Sequence, residues 1–254
     1  MLFSVISIFP EIFSSLTQYG ISGRSFDKEI CRINLVNPRD FSYNVHQKID
    51  DKSFGGGPGM VMMVEPLELS LKSAQSFHQL NGNAKPIKIC LSPQGKVVNQ
   101  NMINALAKEQ GIIFVCGRYE GIDERFIQRN IDLELSIADI VVSGGELPAM
   151  LIMDSIIRQL PQSMNDSESA KNDSFMHGLL DHPHYTTPRQ YSGVNVPDVL
   201  LSGNHKQIEL WRLQERLRLT YLKRPDLLEQ RNLTKLESRL LDEIITSRNK
   251  MKEI

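Results

Sequence analysis

Short apolar runs that alternate with stretches of helical periodicity constrain this chain more than any other feature. "FSVISI" (3 to 8), "RINLV" (32 to 36), "IKICLS" (87 to 92) and "IIFVCG" (112 to 117) read as buried strands. Between them lie "PEIFSSLTQY" (10 to 19, closed by Gly20), "PLELSLKSAQSFHQL" (66 to 80) and "NQNMINALAKEQ" (99 to 110, closed by Gly111), all with helical spacing. This order predicts an α/β domain built on a mostly parallel sheet. Residues 132 to 145 add strand pieces. Residues 146 to 160 read as a buried helix whose Ala149, Ile152, Met153, Ile156 and Leu160 form one apolar stripe.

Pro161 ends that pattern. The polar stretch "PQSMNDSESAKNDS" (161 to 174) reads as a mobile linker, and 182 to 205, rich in Pro and Gly, as irregular. Helices are expected over 205 to 226 and 234 to 249. In the first of these, Ile208, Trp211, Leu217 and Tyr221 are the candidates to pack. The organisation is therefore an α/β domain over 1–161, a flexible linker over 162–173 and a small helical domain over 174–254. Residues 203 to 254 hold 12 Lys plus Arg against 8 Asp plus Glu, although the whole chain carries a net charge of −1. A basic tail on an acidic body points to a polyanionic partner. The cysteines, Cys31, Cys90 and Cys116, have no CxxC spacing and read as buried free thiols in a reducing compartment. No basic segment precedes the apolar start, and no run reaches the roughly 20 apolar residues of a membrane span, so a cytoplasmic protein without membrane contact is expected.

Glycine-bearing stretches carry the chemistry. "GGGPGM" (55 to 60) has neither the G-K-[ST] of a P-loop nor a G-x-G-x-x-G frame, which leaves a tight turn or a site of close approach. "LSPQG" (91 to 95), "CGRYEGIDER" (116 to 125) and "VSGGELPAM" (142 to 150) each follow a strand, where ligands of open α/β sheets bind. Small residues at several strand ends imply one ligand approached by main chain from several sides. Arg158 follows Asp154 by one helical turn, so a surface ion pair is one reading of it. Asp173 is open to the roles of solvated carboxylate or helix cap. "HPHY" (182 to 185) offers two histidines, too few by themselves for a metal site.

Together these stretches, with "SIFPEIF", the Asp-Ser-Phe at 173 to 175 and "PHYT…VPDVLLSGNH", resemble the bacterial tRNA (guanine-37-N1)-methyltransferases of the SPOUT class, over residues 1 to about 240. The resemblance implies a deep trefoil knot in the α/β domain, whose loops bind S-adenosylmethionine. The positions so implied are Leu91, Ser92, Pro93, Gly117, Tyr119, Glu120, Ile137, Ala138, Asp139, Ile140, Val141, Val142, Gly144 and Gly145. It implies an obligate homodimer in which the partner's linker and C-terminal domain complete each site. It further implies Asp173 as the base that removes the N1 proton and Arg158 as the cation at O6 of a guanine at tRNA position 37. Gly57, Pro58, Gly59 and Ser174 would then lie beside the substrate, with Arg212 and Arg216 on tRNA phosphates and a magnesium ion allowed near Glu120. Thr187 departs from the basic residue of relatives, which removes an expected tRNA contact there. Two rival classes remain: a SPOUT enzyme acting on another RNA atom, which would need neither "GGGPGM" nor a linker aspartate, and a non-catalytic RNA-binding protein that senses S-adenosylmethionine.

Overall fold

The structure, a computed structural model, describes residues 1–165, 170 and 172–252, with side chains to 248. The chain divides into two compact units, Met1–Ser167 and Glu168–Ile254. The expectation of a mobile linker over 162–173 falls partly on 166–169 and 171, outside the described residues. At its two edges Ser163 and Ala170 are buried, so those positions are packed.

The first unit is built on five parallel strands in the order β2-β1-β6-β5-β7: β1 (Leu2–Ile6), β2 (Arg32–Val36), β5 (Ile87–Val97), β6 (Gly111–Cys116) and β7 (Leu133–Ser136). Two short strands, β3 (Asp50–Asp51) and β4 (Val61–Met62), form a separate antiparallel pair. Central β6 is buried along its whole length, and the alternation of side chains divides it between two cores. Ile112, Phe114 and Cys116 join Phe3, Val5, Ile89 and Leu91 on one face. Ile113 and Val115 join Ile6, Val36, Met62 and Phe126 on the other. Both faces being covered explains why these strands read as continuous apolar runs.

Helices α1 (Ser14–Gln18), α2 (Gly20–Asp27), α3 (Val64–Leu80), α4 (Gln100–Leu106), α5 (Glu124–Asn130) and α6 (Glu146–Ile157) complete this unit. The stripe expected on α6 holds: Ala149, Ile152, Met153 and Ile156 are fully buried and Leu160 packs against the same cluster. Two helices were not expected. Gly20, read as a stop, has φ +69° and is the bend from which α2 begins. Helix α2 carries two glycines and two buried serines, so packing, not propensity, makes it. Helix α5 is nucleated by Asp123, whose carboxylate accepts from the Arg125 amide at 2.9 Å.

Strand β5 also departs from expectation. Its ladder does not end at Ser92. Leu91 and Lys96 both pair with Leu135, so "SPQG" is looped out of a strand that then resumes. A Cβ on Gly95 would lie 2.5 Å from the Glu134 carbonyl carbon, which is why this position returns the loop to β7 as glycine.

In the second unit, α8 (His205–Lys223) and α10 (Lys235–Lys252) pack around Leu179, Leu217, Leu240 and Ile244; the short α7 (Asp198–Leu201) precedes α8, and α9 (Pro225–Glu229) lies between α8 and α10 in chain order. Of the four residues expected to pack from α8, Leu217 is fully buried and Tyr221 borders the cluster. Trp211 lies instead against the rings of His182 and Tyr185, with centroids 6.2 and 6.3 Å away. The irregular segment holds one small hairpin, β8 (Gln190–Tyr191) with β9 (Val194–Asn195).

Candidate active site

A cavity of about 360 Å³ opens at the carboxyl ends of β5, β6 and β7. Its walls are the looped-out segment of β5, the loop after β6 and the loop between β7 and α6. Leu91, Ser92, Pro93, Gly117, Tyr119, Glu120, Ile137, Ile140, Val141, Val142, Gly144 and Gly145 all line it. Ala138 and Asp139 do not. The Ala138 carbonyl instead accepts from the Ser136 hydroxyl and the Ile140 amide, both at 2.9 Å, which turns the β7–α6 loop toward the cavity.

Glycine lets these loops touch. The Gly145 amide donates to the Gly117 carbonyl at 3.0 Å. A Cβ on Gly145 would stand 2.7 Å from Cys116 Cα, backbone against backbone. Beneath this contact lies a brace between Arg118, which the sequence places at a strand-end site, and Glu146, whose part in it the sequence does not show. Glu146 is fully buried at the first turn of α6; its Oε2 accepts from Arg118 Nε at 2.9 Å and its Oε1 from the Ser7 hydroxyl at 2.6 Å. Arg118 also donates to the Ser143 carbonyl at 3.2 Å and lies over the Phe9 ring, 4.7 Å from its centroid. A buried charge needs such a set of partners, and here they tie the loop after β6 and the loop before α6 to Ser7, just past β1.

The glycine loop at 55 to 60 reaches the cavity through main-chain pairing. The Glu120 amide donates to the Met60 carbonyl at 2.9 Å, and the Met62 amide to the Gly121 carbonyl at 2.9 Å. Gly55, Gly56, Gly57 and Gly59 all have positive φ, between +76° and +116°, where a side chain is strained. Gly59 has a second reason: a Cβ there would lie 2.8 Å from Glu120 Cδ. Tyr119 is held at φ +60°, its hydroxyl 3.4 Å from Arg39 Nη2.

Arg158 caps the C-terminus of α6, its amide donating to the Asp154 carbonyl at 3.0 Å, while the Asp154 carboxylate accepts from the Ser22 hydroxyl. In the second unit the Asp173 carbonyl accepts from the Met176 amide at 3.3 Å, and the Ser174 hydroxyl accepts from the Asp181 amide at 2.9 Å. Arg216 Nη2 donates to the Asn172 carbonyl at 3.1 Å and stands 3.2 Å from Asp181 Oδ1. Arg212 pairs with Glu209 at 2.7 Å. The basic excess of this unit is laced with such local pairs, Arg218–Glu215, Arg224–Asp226 and Arg231–Glu237 among them.

The thiols are free and buried, as expected. Burial pushes Cys31 up to about 11 and Cys90 up to about 12. Cys116 is raised well above its usual value by burial and then by the nearby Glu146. None is poised to be a nucleophile.

The family described as tRNA (Guanine-1)-methyltransferase TrmD matches residues 1–230. The chain belongs to this family. Proteins named tRNA (guanine-N(1)-)-methyltransferase are similar to it along nearly their whole length. That of Nitrosospira multiformis is 49% identical over 244 residues, 95% of each chain. That of Pseudomonas savastanoi pv. phaseolicola is 51% identical over 245 residues, 96% of each. That of Methylobacillus flagellatus is 51% identical over 242 residues, covering 95% of this chain and 92% of its own. As a TrmD family member the chain has the SPOUT-class α/β fold, and the parallel sheet with helices on both faces agrees with it.

Proposed function

We propose that this chain holds S-adenosylmethionine in the cavity at the ends of β5, β6 and β7 and methylates N1 of guanine at position 37 of tRNA. As a TrmD family member it is an S-adenosylmethionine-dependent tRNA (guanine-N1)-methyltransferase. The observation that carries the assignment of the site is the convergence of three strand-end loops on one cavity. Its donor set suits this cofactor. Main chain at Gly117, Gly144 and Gly145 can approach a ligand closely, Leu91, Ile137, Ile140 and Val142 offer apolar walls to an adenosine, and Glu120 is a carboxylate suited to the sulfonium charge. Threading of these loops as a trefoil knot belongs to the same proposal.

When bound, the cofactor supplies an electrophilic methyl group. The chain must supply the rest. Guanine N1 carries a proton, so its lone pair is unavailable until a base removes it, and charge then builds on O6. Asp173 takes that proton. Arg158, always charged and presenting a fixed fork of donors, stabilises O6. Gly57, Pro58 and Gly59 leave room for the flat base beside the cavity.

Each site is completed by a second copy. Leu147 and Leu151 expose their side chains on the outer face of α6, as do Phe9 and Ile12 beside it, and Met150 Sδ accepts from the Ser15 hydroxyl at 3.6 Å. This apolar face suits an isologous contact. Arg212 and Arg216 face tRNA phosphates in this reading, with affinity falling as salt rises. Magnesium beside Glu120 and a cytoplasmic location belong to the proposal too; among the described residues no helix is long and apolar enough to cross a membrane.

The experiment is Asp173→Asn, which keeps the shape and removes the base. Single-turnover methylation of unmodified tRNA carrying guanine 37 should fall at least 100-fold, while S-adenosylmethionine affinity by calorimetry stays within twofold. Near-normal turnover would remove Asp173 from the role, and lost cofactor affinity would make it a structural residue.

A further inference from the structure

The third donor is Asp181, the residue that immediately precedes "HPHY", and the fold turns its carboxylate toward both histidines. Asp181, His182 and His184 bring a carboxylate oxygen and two imidazole nitrogens within 4.8 Å of one another. We propose that these three residues form a binding site for a borderline-soft divalent ion of the Zn²⁺ class.

The ring of His182 carries the strongest part of the case. Its side chain is nine-tenths buried, and Nδ1 lies 3.1 Å from the Pro183 carbonyl oxygen. A carbonyl only accepts, so Nδ1 bears the hydrogen, and in the neutral ring Nε2 is left with a lone pair. That lone pair faces Asp181 Oδ1 at 3.8 Å, beyond hydrogen-bond range. Oδ1 already accepts from the His182 amide and faces the Arg216 guanidinium, which leaves the lone pair of the buried ring to an ion held at Oδ2. A histidine whose far nitrogen donates to a backbone carbonyl is also the arrangement in which metal-bound histidines are held.

The other two donors complete the set. His184 Nε2 is 2.9 Å from Asp181 Oδ2, and the two histidine rings are 4.5 Å apart. His184 is largely exposed, so an ion and its waters have access from solvent. Asp181 itself is fixed from three sides: its Oδ1 accepts from the His182 amide at 2.7 Å, its own amide donates to Ser174, and Arg216 Nη2 stands 3.2 Å from Oδ1. The guanidinium holds Oδ1, which leaves Oδ2 for the ion in place of the His184 hydrogen. Two imidazoles and one carboxylate suit Zn²⁺, Ni²⁺ or Cu²⁺, whereas Mg²⁺ demands oxygen donors. The site is therefore distinct in chemistry from a magnesium ion near Glu120.

The test is metal uptake by the full-length protein without tRNA or cofactor, which reports on this site whatever becomes of the methylation reading. Isothermal titration with Zn²⁺ should give one ion per chain, and Co²⁺ should develop visible d–d absorption with the same stoichiometry. His184→Gln and His182→Gln should each weaken binding at least tenfold. His184 is exposed, so His184→Gln is expected to melt as the wild type does and keeps the test valid if His182→Gln misfolds. Affinity unchanged by His184→Gln in a folded protein, or no stoichiometric uptake by the wild type, overturns the proposal. Uptake of Mg²⁺ at this site with equal affinity overturns its chemistry.

Discussion

The two ends of the parallel sheet use one device for opposite purposes. At the carboxyl end, Gly145 presses on Cys116 and leaves beneath it the Arg118–Glu146 pair, a buried charge bonded on both sides. At the amino end of the same central strand, Gly111 presses on His78 and Asn83, where Asn83 Nδ2 is 3.1 Å from His78 Nδ1. There the buried polar groups are neutral. The buried ion pair stands where loops are held around the candidate site, and the buried pair beside Gly111 is uncharged. Buried ion pairs are costly to desolvate, so their placement marks where geometry matters more than stability.

Glu146→Ala tests that contrast most severely. It leaves the Arg118 guanidinium short of its carboxylate and removes the acceptor of the Ser7 hydroxyl. Breaking one side of a buried pair costs about 3–5 kcal/mol, which lowers the melting temperature by roughly 10 °C. Cofactor affinity should fall with it, because the Ser143 loop loses its anchor. A melt within 2 °C of wild type (about 1 kcal/mol or less) would mean the pair carries no such load.

Most of this architecture was legible, and the failures are specific. The strand runs and the α6 stripe could be read because burial on both faces leaves an unambiguous apolar signature. Helix α2 could not, since Gly20 carries the same letter whether it stops a helix or bends into the next. Nor could the resumption of β5 after Gly95: the excursion returns because Leu91 and Lys96 both find Leu135, a pairing that no local pattern encodes. The cavity-lining loops were visible as glycine-rich strand ends. Their brace was not, because a buried Glu146 and a solvated first-turn glutamate look identical in sequence. Nor does the sequence show that Arg216, proposed above as a phosphate contact, is also held by Asp181 and the Asn172 carbonyl.

A paired substitution sharpens the comparison with a smaller effect. Gly145→Ala sets a methyl group 2.7 Å from backbone that has no freedom to retreat, and Gly111→Ala sets one 2.5 Å from the His78 ring. Overpacking of this kind costs about 1–3 kcal/mol at either site. The readouts should separate. Gly145→Ala is expected to weaken S-adenosylmethionine at least tenfold, or about 1.4 kcal/mol, whereas Gly111→Ala loses stability with cofactor affinity unchanged. If both weaken the cofactor equally, the two ends are not functionally distinct.

The smallest effect belongs to pH at the amino end. Asn83 can only donate through Nδ2, so His78 Nδ1 accepts and the ring is neutral, with Nε2 buried and unpaired among the described residues. Burial lowers the His78 pKa from 6.5 to about 4. Above pH 6.5 neither the folded nor the unfolded ring takes a proton, and the full stability is present. Between 6.5 and 4 the unfolded chain binds a proton that the folded chain refuses, so stability falls as pH drops. The loss reaches roughly 1 kcal/mol by pH 5.5 and steepens toward one proton, about 1.4 kcal/mol per pH unit. His78→Gln keeps an acceptor for Asn83 and has nothing to titrate, so its urea midpoint should decline less between pH 6.5 and 5 than that of the wild type. Cofactor affinity should not follow His78 through this window, because the ring lies at the opposite end of β6 from the candidate site. Parallel slopes in the two proteins would show that the ring is not what acid attacks there, and the contrast between a charged and a neutral end would lose its thermodynamic footing.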